Sequence, residues 1–166
     1  VDPAMVEIEL TETAVVSEYK SVRKLFDSFQ MHGIKTAMDD FGSGYSVLNT
    51  IVDIPVDVIK IDRGFITSCL ETDRGIYFLK HLIAMIQNLG YQIICEGVET
   101  DEQIEILRQI GCDEIQGYWY SKPLPMEDYK ELLQTEKISK GGAKHPNRQK
   151  VLRYVLDNEN LKVRKI

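Results

Sequence analysis

Short apolar runs of strand length alternate with amphipathic stretches of helical period along the first 134 residues. That order restricts the fold to a parallel α/β sheet with crossover helices. The strand candidates are Val6 to Leu10, Lys35 to Met38, Val56 to Ile61, Gln92 to Cys95 and Glu114 to Gln116. Helices are expected over Glu18 to Met31, Arg74 to Leu89, Asp101 to Ile110 and Met126 to Leu133. Thr100 and Gln103 have capping-box spacing, Ile104, Leu107 and Ile110 recur on one face, and Gly111 supplies the stop. Ile76, Leu79, Ile83 and Ile86 likewise share a face ahead of Gly90, and both stripes read as core. Repeated units of this kind close into a barrel or spread into a doubly wound sheet, and periodicity leaves both open. Gly42-Ser43-Gly44 does not decide the matter, because it lacks the third glycine and following helix of a dinucleotide fingerprint.

Composition narrows the function classes. A chain of 166 residues, 43% hydrophobic and 28% charged, is that of one globular domain with a real core. No apolar run nears the roughly 20 residues that span a bilayer, and no basic region leads into a signal-like stretch, so a cytoplasmic location is expected. The net charge of -6 conceals an asymmetry: nine of the 20 Lys and Arg, but two of the 26 Asp and Glu, fall after residue 136. The acidic body argues against DNA or RNA binding, since phosphate backbones attract basic surfaces. Residues 135–166 are expected to be a basic linker and tail, with a short amphipathic helix over Val151 to Leu156. Cys69, Cys95 and Cys112, odd in number and widely spaced, read as ordinary reduced residues. His32, His81 and His145 show no metal-ligand spacing.

Each strand candidate carries or runs into a polar group that a plain core would not hold. In order these are Glu9 and Glu12, Asp39 and Asp40, Lys60 and Asp62, Glu96 and Glu99, and Gln116. The C-terminal ends of parallel strands converge on one face, where ligands bind. Alternation in Val6 to Leu10 turns Glu7 and Glu9 away from the apolar face, toward a barrel interior. Carboxylates buried there must be paired, protonated or bound to metal. Lys60 is one candidate partner, but it cannot neutralise Glu9, Asp39, Asp40 and Glu96 together. A divalent ion with oxygen ligands, Mg²⁺ or Mn²⁺, is therefore expected. Glu7 and Asp62 are read as ordinary cap or solvated-loop carboxylates.

Short motifs stand at these strand ends: Glu7-Ile8-Glu9-Leu10-Thr11-Glu12-Thr13, Asp39-Asp40-Phe41-Gly42-Ser43-Gly44-Tyr45-Ser46, and Val56 to Asp62. Glu96-Gly97-Val98-Glu99, Gln116-Gly117-Tyr118 and Pro123-Leu124-Pro125 follow. In this order, over about residues 1–134, they resemble the E-L-T-E strand, D-D-F-G-x-G-Y-S loop, K-I-D strand and later motifs of EAL-type cyclic di-GMP phosphodiesterases. The resemblance implies a TIM-like (β/α) barrel, here incomplete, with about five C-terminal strands and their helices. It also implies metal-dependent hydrolysis of cyclic di-GMP to linear pGpG.

Carried over by position, Glu9, Asp39, Asp40 and Glu96 are implied metal ligands, with Asp39 bridging two ions and Asp40 holding the second. Glu96 is also implied to bind the attacking water and Lys60 to orient it, while Gln116 and Glu99 support the site. Glu12 is implied to anchor the loop after Asp40, which couples ligand binding to dimerisation. The chain contains no Glu-Ala-Leu tripeptide. The resemblance places that glutamate, an Asn ligand and an arginine-containing substrate segment upstream of Val1. Residues 1–134 are thus expected to be the C-terminal portion of a domain, inactive alone. Val6 to Leu10 and Glu114 to Gln116 are then open edges that invite self-association into a homo-oligomer. The alternative reading is a non-catalytic module that senses cyclic di-GMP or docks a protein partner.

Overall fold

Five parallel strands form where the five apolar runs lie. A computed structural model of the protein describes residues 2–17, 19–44, 51–52, 54–119, 122–131 and 163–165. The strands are β1 (Val6–Thr11), β2 (Lys35–Phe41), β3 (Val58–Ile61), β4 (Gln92–Glu96) and β5 (Glu114–Gln116). They lie side by side in chain order, each parallel to the next. An order without a switch point is that of a singly wound barrel wall, so the doubly wound alternative falls away.

Helices α1 (Glu12–Ser17) and α2 (Tyr19–Met31) follow β1, α3 (Arg63–Leu70) and α4 (Asp73–Asn88) follow β3, and α5 (Asp101–Gln109) follows β4. Neither α1 nor α3 is expected from periodicity, because segments of six and eight residues are too short to repeat an apolar stripe. A cap marks α3 instead: the Asp62 carboxylate accepts a hydrogen bond from Phe65 N at 3.1 Å. Thr72 caps α4 in the same way, and the Thr100–Gln103 capping box opens α5. Residues 126–131 are helical, where Met126 to Leu133 is expected to be. The Val151 to Leu156 segment and the linker before it lie outside the described residues.

A sixth strand differs from expectation. β6 (Val163–Lys165) pairs antiparallel with β1, through Val6↔Lys165, Glu7↔Arg164 and Ile8↔Val163. The expected solvated tail thus contributes backbone partners to β1, which is not an edge; the unpaired N–H and C=O groups of a strand's outer side are a ready template for such pairing. Among the described residues the sheet ends at β5 on the other side.

Strand alternation sorts the side chains into two layers. Met38, Ile59, Ile61, Ile93 and Cys95 join the core that Leu79, Leu82, Ile83 and Ile86 of α4 complete. Burial of each such aliphatic side chain contributes about 1.5–3 kcal/mol. Ala37, Val58 and Ile94 form a separate small apolar cluster on the opposite face. Glu7 is on that face too and fully buried, so its reading as a solvated carboxylate is corrected. Its neighbours in sequence, Val6 and Ile8, take the other face, and the two-residue repeat leaves Glu7 no route to water. Among the described residues no helix is long and apolar enough to cross a membrane.

Candidate metal centre

The same inner face, one step further along each strand, is charged. Lys60 on β3 is 1% exposed and sits at the centre. Its Nζ donates to Asp39 Oδ1 of β2 at 2.8 Å and to Glu9 Oε2 of β1 at 3.4 Å, and it also pairs with Glu96 Oε1 of β4. Four strands therefore place one ammonium among three carboxylates in a region almost closed to water. Parallel register explains the convergence: Thr11 is level with Asp39, and Lys60 with Ile94, so successive inward residues rise along the wall together.

Asp40 reaches the same site by a different route. Strict alternation would carry it to the helix side with Met38. The β2–β3 register instead slips between Met38 and Phe41, which adds one residue to β2, and Asp40 adopts φ 58°. This is a β-bulge with an aspartate in the left-handed region, a conformation that costs a non-glycine residue about 1–2 kcal/mol and that Asp tolerates better than most. Asp40 N donates to Asp39 Oδ1 at 3.1 Å, and Ser43 N to Asp40 O at 3.0 Å. One oxygen each of Asp39, Asp40 and Glu96 consequently lies within 4.8 Å of the others. The turn that brings the adjacent aspartates together begins inside the strand, at Asp40.

The remaining candidates surround this cluster unequally. Glu12, at the start of α1, accepts from Gly42 N at 2.8 Å and ties the segment after Asp40 to β1. Gln116 is level with Glu96 across the β4–β5 ladder, and its buried Oε1 has no hydrogen-bond partner among the described residues. Glu99 pairs with Arg63 at 2.8 Å, both side chains substantially exposed, at the start of α3. It is a neighbour of the centre on the surface and belongs to a different ion pair.

The fit to a divalent cation can be tested on this donor set. Glu9, Asp39, Asp40 and Glu96 against Lys60 leave an excess of carboxylate charge in a buried place. All the donors are oxygens, and Gln116 Oε1 adds a buried carbonyl oxygen beside Glu96. Hard oxygen ligands of this kind suit Mg²⁺ or Mn²⁺ and not zinc in a thiolate or imidazole site.

Gly117 holds the β5 side of the centre in place. A Cβ there would lie 2.0 Å from Val98 O and 2.4 Å from Val98 N, both backbone atoms. Val98 N donates to Gln116 O at 3.2 Å, and Val98 O accepts from Trp119 N at 3.0 Å. Gly117→Ala must push the segments that follow β4 and β5 apart, and overpacking of this kind costs about 1–3 kcal/mol. A lowered urea midpoint is the expected result; an unchanged midpoint would show that the two segments part freely.

A further contact went unread in the sequence. Cys95 Sγ and Cys112 Sγ are 3.1 Å apart, both as free thiols. The bond with Cys112, followed by burial, raises the Cys95 thiol pKa well above its ordinary value. Seventeen residues separate the two, and no short cysteine spacing signals their meeting.

A carboxylate cluster at the strand ends of a singly wound α/β wall is the arrangement of a TIM-like barrel domain. The EAL domain profile matches residues 1–123, and the chain belongs to that family. Cyclic di-GMP phosphodiesterase NbdA of Pseudomonas aeruginosa is 36% identical over 127 residues, which cover 76% of this chain and 16% of that protein. The EAL domain of Mycobacterium smegmatis DcpA superposes with a TM-score of 0.70 at 34% identity, covering 78% of this chain and 58% of its own. A manganese and cyclic di-GMP complex of Klebsiella pneumoniae BlrP1 gives 0.68 at 31% identity, over 74% and 31%. The chain spans between 16% and 34% of the length of the curated relatives compared.

Proposed function

We propose that this chain supplies the C-terminal half of the active site of a cytoplasmic cyclic di-GMP phosphodiesterase that yields linear pGpG. The observation that carries the reading is the Asp39, Asp40 and Glu96 cluster, with ligand oxygens within 4.8 Å of one another at adjacent strand ends. NbdA's name and the BlrP1 complex support the substrate and the use of divalent metal.

Glu9, Asp39, Asp40 and Glu96 would hold the ions, Mg²⁺ or Mn²⁺. Bound there, two such ions supply positive charge for the phosphate and lower the pKa of a coordinated water. Lys60, held by its ion pairs with Asp39 and Glu96, would orient the attacking water. Glu12 holds the Gly42 backbone and with it the exit of β2. Gln116, level with Glu96 across the β4–β5 ladder, would support the site through its buried Oε1.

The chain alone is proposed to be inactive. Its described parallel wall has five strands, against eight in a complete barrel, and no Glu-Ala-Leu tripeptide occurs in it. The test compares this chain with a longer protein that contains it, each stripped with EDTA and then given Mg²⁺ or Mn²⁺ with cyclic di-GMP. The longer protein is expected to release pGpG only with metal, and the chain alone to release none. Release by the chain alone defeats the inactivity, and metal-independent binding without turnover in the longer protein favours a sensing module.

A further inference from the structure

We propose that Cys95 and Cys112 are an oxidant-responsive thiol pair, which a hydroperoxide converts into a reversible disulfide between β4 and the turn ahead of β5. The sulfurs are 3.1 Å apart, and a disulfide bond of about 2.05 Å needs them to close by about an ångström. Both cysteines are anchored where they are. Cys95 is level with Ile115 in the β4–β5 ladder, and Cys112 N donates to Leu107 O at 3.0 Å. Cys112 Sγ also lies 3.1 Å from Glu114 O, which holds the side chain against the sheet.

Exposure assigns the order of events. Cys112 is partly open to solvent while Cys95 is fully buried behind it. The Cys112 sulfur attacks the peroxide, the O–O bond breaks, and a sulfenic acid forms with release of water or an alcohol. The Cys95 sulfur then attacks the sulfenic sulfur. The S–O bond breaks, the S–S bond forms and a water leaves with the thiol proton. Two thiols are oxidised and one hydroperoxide is reduced. Cys69, buried in α3, takes no part in the contact. The cross-link closes a loop that contains Glu96, Glu99 and all of α5, and intracellular disulfides of this kind are transient and redox-sensing.

The experiment treats the purified chain with hydrogen peroxide, alkylates it in denaturant and maps the products by mass spectrometry. Free thiols are expected to fall from three to one, with a cross-linked peptide carrying Cys95 and Cys112 that dithiothreitol releases. Cys69→Ser is expected to leave the cross-link intact, and the partly exposed Cys112→Ser to abolish it. Peroxide that leaves Cys112 as a sulfinic acid beside an alkylated Cys95, or that links two chains instead, overturns the proposal.

Discussion

Asp39→Asn, in a longer EAL protein containing this chain, is expected to lower turnover of cyclic di-GMP by about 100-fold or more without destabilising the metal-free fold. The two effects separate because Asp39 has two roles of opposite electrostatic sign. Toward a divalent ion it would be an anionic ligand beside Asp40 and Glu96. Toward the metal-free protein it is one of several carboxylates crowded on a single buried lysine. An amide keeps an oxygen for Lys60 Nζ and removes part of that repulsion, while Glu9 and Glu96 still pair with the ammonium. Asp40→Asn is expected to act in the same direction, since Asn tolerates the left-handed backbone of the bulge as Asp does. Steady-state kinetics and a urea melt check the two effects, and Mn²⁺ titration calorimetry checks the expected loss of a ligand that underlies the first. Turnover within a few-fold of the parent in both variants would remove these aspartates from the site.

Lys60→Met reverses the pattern. The aliphatic stem remains, but three carboxylates lose the cation at their centre in a place almost closed to solvent. Breaking a buried ion pair from one side costs about 3–5 kcal/mol, so a large drop in the metal-free urea midpoint is expected. Divalent metal should recover part of it, because an ion held by the native state at 100 times its Kd contributes about 2.7 kcal/mol. Activity per folded molecule then separates two roles for the lysine. A fall in kcat with metal affinity intact supports water orientation; unchanged kcat assigns Lys60 to charge balance alone. A metal-free midpoint equal to the parent's would contradict the burial argument itself.

The wall of the barrel and most of the centre were legible before any coordinates. Glu9, Lys60 and Glu96 follow from a repeat of two, since a carboxylate or ammonium on the side opposite Ile8, Ile59 and Cys95 can point only inward. Glu7 obeyed the same rule against its expected solvation. The short helices α1 and α3 escaped notice because an apolar stripe needs more turns than they possess, although Asp62 marked one of them as a cap. Asp40 could not be placed by alternation at all. Its position depends on an extra residue in β2 relative to β3, a property of two strands and not of one.

The strand periods, the caps, the ordered motifs of the family and the carboxylates at the strand ends can all be read along the chain without coordinates. Each of these is a local pattern, set by side-chain direction over a few residues. The unbroken order of the strands, the pairing of β6 with β1, the sharing of one lysine among three carboxylates and the meeting of Cys95 with Cys112 emerge from the fold alone. These depend on the register between segments distant in the chain, which local pattern leaves free and which packing fixes by matching the buried faces of neighbouring strands and helices.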